Sequence, residues 1–126
     1  MLKVENTIEG LVYSFLLDTT GLEEDQVQVY QTALDFSREH IAPNAAQWDR
    51  EGHFPIDVMR QAAALGFGAI YASSEHGGSE MGRLEASLIF EALSTGCAST
   101  AAFMSIHNMC TWIIDTYASR LFPSMA

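Results

Sequence analysis

The sequence predicts an all-α fold, an up-and-down helical bundle of about five helices. Three observations predict it. Apolar residues recur three and four positions apart through successive stretches from residue 21 onward, and Pro43, Gly52, Pro55, Gly66 and Gly96 fall where those stretches begin or end. The last long stretch, Ser94 to Ser119, is nearly uncharged, as suits a helix at the centre of a bundle. No segment reads as a strand.

The first helix is expected near Gly21, where Thr20-Gly21-Leu22-Glu23 has capping-box spacing and Glu23, Glu24 and Asp25 place negative charge on the positive end of the helix dipole. Val27, Tyr30, Leu34 and Ile41 form an apolar stripe, widened by Val29, Ala33 and Phe36, that asks for more than one packing partner. Arg38 and His40 suit its last turn, and Pro43 disfavours helical geometry at Ala42. Pro43 can open a short second helix through Trp48, stopped by Gly52. The third starts at Pro55, sets Ile56, Met59 and Ala63 on one face, and ends at Gly66 as a left-handed cap. Residues 67 to 82, with Gly68, Gly77, Gly78 and Gly82, read as an irregular connector. The fourth helix, about Arg83 to Thr95, places Leu84, Leu88, Ile89, Ala92 and Leu93 on one side, and Gly96 breaks it.

The fifth helix is expected from Ala98 to Ala118, with Asp115 its only formal charge and Phe103, Met104, Ile106, Met109, Trp112, Ile113 and Ile114 covering most of its circumference. About 21 residues are enough to span a bilayer. Asp115, His107, Asn108 and the scattered Ser and Thr are costly in lipid, so the reading is a bundle helix and no membrane span.

Composition bounds the function. An apolar content of 48% against 17% charged residues builds one core in a chain of 126 residues and leaves apolar surface over, as in a domain that packs against others. A net charge of -10 with six Lys and Arg argues against nucleic acid or anionic membrane as a partner. Cys97 and Cys110, if they flank one helix, stand roughly 20 Å apart, beyond the ~7 Å a disulfide allows. They are expected to be reduced and buried, as small hydrophobes. Residues 1–20 are a leader of unknown role: Leu11 to Leu17 is apolar, but Glu5 and Glu9 spoil a basic targeting segment and no transit peptide is evident.

Few residues suggest chemistry. Gly77-Gly78 lacks the strand, the spacing and the Lys of a phosphate loop, so it reads as a turn needing positive φ. His107 and Cys110 share a metal-compatible spacing, but no second pair completes a shell, and a buried, hydrogen-bonded histidine beside a packed thiol is the stronger reading. Asp49, Glu51 and Asp57 read as solvated surface. No catalytic or metal-ligating residue is assigned. Ala102, Ser105, Ile106 and Met109 fall at i, i+3, i+4 and i+7, one helix face carrying small or flexible groups, with Phe103 at its flank. On pattern alone that face is ordinary core packing or a pocket wall, core packing being the commoner of the two.

The run Leu65-Gly66-Phe67-Gly68-Ala69-Ile70-Tyr71-Ala72-Ser73-Ser74-Glu75-His76-Gly77-Gly78, with Arg83-Leu84-Glu85 beyond it, resembles the amino-terminal helical domain of the acyl-CoA dehydrogenases. Phe90-Glu91-Ala92-Leu93-Ser94-Thr95-Gly96-Cys97 and Ser105-Ile106-His107-Asn108-Met109-Cys110 resemble above all the isobutyryl-CoA dehydrogenase branch, and the resemblance covers residues 21 to 118. It departs at Glu80, where the family usually shows Gly, and at Tyr117 to Pro123, where a polar segment is short. A truncated or alternatively assembled gene product is one expectation for that junction.

The resemblance implies a flavoenzyme that oxidises a short branched acyl-CoA at its α,β bond, as in valine catabolism. A carboxylate removes the α-proton while FAD takes the β-hydrogen as hydride. It implies that Ala102, Phe103, Ser105, Ile106 and Met109 are the acyl-pocket wall, that the enzyme is a homo-oligomer, a tetramer in the family, and that it resides in the mitochondrial matrix of a eukaryote or the cytoplasm of a bacterium. In the family the flavin and the catalytic carboxylate belong mainly to a middle β-domain and a carboxy-terminal domain, neither of which falls within residues 21–126. This chain alone is therefore expected to bind no FAD and to be inactive. The rival expectation is a stand-alone helical interaction or regulatory module derived from that domain. On the first of these readings a face around Ile106, Met109, Phe67 and Ile70 is expected to be exposed and to drive self-association, whereas a strictly monomeric chain would favour the rival.

Overall fold

The structure, a computed structural model, describes residues 21–121. The leader and Thr20 of the expected capping box lie outside them. Five α-helices and no strands make up the described residues: α1 (Glu24–Phe36), α2 (Ala45–Glu51), α3 (Ile56–Ala64), α4 (Arg83–Ser94) and α5 (Ala98–Leu121).

The capping box of α1 sits one step later than the sequence pattern placed it. Glu23 is itself the cap, its side chain receiving the Gln26 backbone N–H while the Gln26 side chain accepts the Glu23 N–H at 3.1 Å. Gly21, at φ +87°, is held outside the helix in a left-handed conformation, so the helix cannot begin there. At its far end α1 runs into one π-helical turn, Ser37–Ile41, closed by the Ala42 N–H on the Ser37 carbonyl at 2.8 Å.

Gln26 donates to Glu85 at 2.8 Å, joining the starts of α1 and α4, and the Ser37 hydroxyl donates to the Leu93 carbonyl at 3.2 Å, joining their ends. The two helices therefore run side by side in the same direction, and α5 returns against α4 after the tight turn at Gly96. Tyr30, Ala33, Leu34 and Phe36 of α1 meet Ala86, Ile89, Ala92 and Leu93 of α4 and Ala101 and Met104 of α5 in one core. Buried alanines on both α1 and α4 let those backbones approach closely.

Two expected faces are corrected. In α3 the fully buried residue is Ala62, with Val58 and Met59 packed beside it, while Ile56 is 52% exposed and Ala63 also lies outside. In α4 the buried arc runs through Ala86, Ile89 and Leu93, and Leu84 stands on the opposite side of the helix, in solvent. Gly66, at φ +91°, ends α3 in the left-handed conformation expected of it.

The connector folds back on itself: Ser79 N–H reaches the Ala69 carbonyl at 3.0 Å and Met81 N–H the Ile70 carbonyl at 2.8 Å. Gly77 takes φ +81°, and a Cβ on Gly78 would collide with the Ala72 carbonyl, so the pair is a turn. Glu80 keeps the left-handed conformation a glycine adopts freely, φ +51°, and its carboxylate accepts the Ser74 N–H at 3.2 Å and the Ser74 hydroxyl at 2.5 Å. Those two bonds offset the strain of a Cβ in that region.

Candidate functional site

The candidate face lies along α5. Ala102, Ile106 and Met109 are exposed and Ser105 is half-buried, its hydroxyl turned back onto the Ala102 carbonyl at 2.8 Å so that it offers no donor outward. The same side continues through Ile113, Ile114 and Tyr117, each more than 40% exposed. Core packing is thus not what this stripe does in the described residues. The core side of α5 is the opposite one, built from Ala101, Met104 and Asn108.

Asn108 fixes that opposite side. Fully buried, it accepts the Ile70 N–H at 2.7 Å and donates to the Phe67 carbonyl at 2.8 Å and the Met104 carbonyl at 2.9 Å. It ties the connector to α5 and turns Phe67 and Ile70 inward, to 1% and 0% exposure. The expectation that these two residues share the exposed patch is therefore overturned. A backbone that has no ladder partner takes a side-chain amide instead and carries its apolar neighbours into the core.

Phe103 stands at the edge of the candidate face, packed edge-on against Phe54 with ring centroids 4.6 Å apart and stacked near His107 at 6.4 Å. On one side of it is a groove of about 290 Å³ bordered by Trp48, His53, Phe54 and Cys97; on the other is one of about 270 Å³ bordered by Met59, Arg60, Met104 and His107. His107 is exposed, which corrects its reading as a buried histidine, and Cys110 is exposed on the α5 strip, not packed. Cys97 is half-buried at the start of α5. Burial pushes its thiol up, but hydrogen bonds from the Thr100 hydroxyl and the Thr100 and Ser99 N–H groups outweigh that and leave it below its ordinary value. Asp49, Glu51 and Asp57 are exposed. Among the described residues no three His, Cys, Asp or Glu side chains stand together in a way that holds a metal ion, and no helix is long and apolar enough to cross a membrane.

Asp115, the one acidic residue of α5, faces the connector. It accepts the Ser73 N–H at 3.1 Å and pairs with His76 Nδ1 at 2.5 Å. The His76 hydrogen bond, then the Ser73 N–H, hold its carboxyl below the usual carboxylate range. Glu80, through Ser74, and Glu85, through Gln26, are lowered in the same direction. A lowered folded-state value gives stability that is present above the unfolded value and is lost as pH falls through the folded one. Melting temperature is expected to fall as pH is lowered below about 4, the ordinary aspartate value, and Asp115→Asn to flatten part of that fall. An acid titration of melting with the same slope in both proteins would show that this pair is not held in solution.

Arg83, at the start of α4, lies over the Tyr71 ring at 5.0 Å and the Trp112 ring at 5.8 Å, and so joins the connector to the far half of α5. The two grooves beside Phe103 are small and mostly apolar, and Arg60 is the one Lys or Arg that borders them, short of the several cationic or Gly-rich backbone donors that a flavin dinucleotide's pyrophosphate needs. Neither of these two grooves fits FAD as a site of its own.

The described residues thus form five α-helices, with the connector tied to α5 through Asn108 and Asp115 and one apolar side of α5 exposed. The chain belongs to the acyl-CoA dehydrogenase family: residues 23–121 match the family described as "Acyl-CoA dehydrogenase, N-terminal domain". It is 49% identical over 109 residues to the mitochondrial isobutyryl-CoA dehydrogenase of Bos taurus, covering 86% of this chain and 26% of that protein. It is 54% identical over 102 residues to that of Dictyostelium discoideum, covering 81% and 24%. The mitochondrial short-chain specific acyl-CoA dehydrogenase of Homo sapiens is 36% identical over 93 residues, covering 74% and 23%. The chain thus spans about a quarter of the length of these relatives.

Proposed function

We propose that this chain supplies the amino-terminal helical domain of a flavin-dependent acyl-CoA dehydrogenase acting on a short branched acyl-CoA of the isobutyryl kind, in the mitochondrial matrix and within a homo-oligomer. The outward face of α5, with Ala102, Ser105, Ile106 and Met109 on it and Phe103 at its edge, is the wall on which the acyl chain rests. One observation carries this reading: an uncharged apolar face left uncovered on α5, in a chain about half identical to two isobutyryl-CoA dehydrogenases.

FAD, when bound by the complete enzyme, supplies the hydride acceptor; no carboxylate stands on the α5 face to act as base. What these residues contribute is dryness and shape. With its hydroxyl satisfied by Ala102, Ser105 presents no competing polar group, and the bulk of Ile106 and Met109 limits the chain length that fits.

The test replaces the matching domain of the bovine isobutyryl-CoA dehydrogenase with residues 21–121 and follows dye-linked oxidation. The chimera is expected to prefer isobutyryl-CoA, and Ile106→Ala to raise kcat/KM for longer acyl chains relative to isobutyryl-CoA by about tenfold, as a cavity gain of one or two methylenes allows. A chimera that assembles with flavin yet keeps its chain-length ratios unchanged in Ile106→Ala and Met109→Ala would remove these residues from the wall.

A further inference from the structure

Phe54 lies between α2 and α3 and is fixed from both sides along the chain. The His53 N–H closes on the Trp48 carbonyl at 2.9 Å, ending α2, and the Phe54 carbonyl accepts the Ile56 N–H at 3.0 Å, opening α3. Pro55, which is buried, restricts the Phe54 backbone further, because a residue before proline is kept out of the helical region. The place of the Phe54 ring is therefore set by the α2–α3 turn and not by α5.

That ring meets Phe103 edge-on, with centroids 4.6 Å apart and planes at 69°. This is a preferred aromatic geometry, in which the positive edge of one ring lies on the negative face of the other. Phe103 has a second ring neighbour in His107, but at 6.4 Å and one turn along the same helix. His107 moves with α5, so it sets no position of Phe103 relative to α3; Phe54 supplies that contact.

The direction of the contact decides what it does. Phe103 is three positions before Ile106, next to it on the helix surface, and stands at the edge of the proposed wall. The two grooves that Phe54 borders are bordered on α5 by Phe103 together with Thr100, Met104 and His107, and by no other residue of that wall. Phe54 thus approaches Phe103 from the side away from the wall and blocks the direction in which its ring would yield to an acyl chain. Both partners belong to this chain, so the contact needs no surface to be left uncovered in a complete enzyme.

We infer that Phe54 is a positioning residue for acyl-chain selection: it holds Phe103 at the edge of the wall, so that chains longer than isobutyryl are refused. The inference rests on the reading of the α5 face as the acyl wall, which Ile106→Ala tests separately.

In the chimera carrying residues 21–121, Phe54→Ala is expected to raise kcat/KM for hexanoyl-CoA relative to isobutyryl-CoA by about fivefold, within what one aromatic contact governs. In a Phe103→Ala background the same change should move that ratio by less than about twofold, and Phe54→Tyr, which keeps the ring, should hold the parent ratio. A purely structural Phe54 would instead lower flavin content and the rates on both acyl groups together, with or without Phe103. Phe54 is 46% exposed, so its truncation does not threaten the fold. In the full 126-residue chain, nuclear Overhauser contacts between the two rings are expected, with Phe103 in one rotamer that Phe54→Ala releases, a readout that needs no enzyme activity. The inference is overturned if the rings show no such contact, if Ile106→Ala shifts the ratio and Phe54→Ala does not, or if Phe54→Ala acts equally with and without Phe103. If Ile106→Ala, Phe103→Ala and Phe54→Ala all leave the ratio unchanged, the wall reading falls and this inference with it.

Discussion

Replacing Asn108 with Ala is expected to lower stability by about 3 kcal/mol or more. Two buried backbone groups, the Ile70 N–H and the Phe67 carbonyl, have no secondary-structure partner and depend on this amide. An unsatisfied buried donor or acceptor costs roughly 1–3 kcal/mol, and two are orphaned together. The space left by the amide adds to that. Against a usual total of about 5–15 kcal/mol, the variant is left marginal. Urea denaturation gives the size of the loss, and hydrogen exchange at the Ile70 amide gives its cause. Protection at Ile70 should fall much more than at Leu34, whose amide belongs to α1. Ile106→Ala, two positions away on the open face, should change stability by less than about 0.5 kcal/mol. If Asn108→Ala and Ile106→Ala prove equally mild, the connector is not held by this residue.

The helices were legible from the sequence because local rules fix them. Periodicity and punctuation locate α1 to α5, and the left-handed glycines at 52 and 66 end two of them as expected. What the sequence did not show is which side of each helix faces inward. Leu84 and Ile89 both look like core residues, and only the placement of α1 beside α4 puts one in solvent and the other at zero exposure. The same holds for α5: nearly all its circumference is apolar, so periodicity carries little orientation, and the α4 and connector contacts decide it. In the sequence Asn108 reads only as a polar residue unfavourable to lipid. Its role depends on two carbonyls and an amide, two of them about forty positions away in the chain, which no local pattern encodes. The candidate face itself was legible as a face, and its exposure came only from the fold. Tyr117 and Ile114 were missed as parts of it, though their i+7 and i+8 spacing from Cys110 and Ile106 was there to be read.

Gly96→Ala is expected to destabilise by about 1–3 kcal/mol for a reason that helix propensity does not contain. The sequence marks this glycine as a helix breaker, yet its φ is not in the left-handed region and Thr95 already closes α4. Space is what excludes a side chain. A Cβ at Gly96 would lie 2.5 Å from the Ser37 hydroxyl oxygen, 3.1 Å from the Ala42 nitrogen and 3.1 Å from the Ile41 Cβ. The π-turn at the end of α1 presses against the α4–α5 turn there, so the extra methyl must either push the Ser37 hydroxyl off the Leu93 carbonyl or separate the two helices. Ser37→Ala removes the closest of these atoms at the cost of its hydrogen bond to the Leu93 carbonyl and its longer contact with the Thr95 hydroxyl at 3.4 Å, together about 1 kcal/mol. The two changes are therefore expected to be less than additive: Ser37→Ala with Gly96→Ala should lose less stability than the sum of the single variants by about 0.5 kcal/mol or more, measured as a double-mutant cycle in urea. Strict additivity would mean that the methyl is accommodated by the backbone, not by Ser37. A Gly96→Ala variant as stable as the parent would mean that the α1 and α4–α5 turns do not meet as closely as the structure places them.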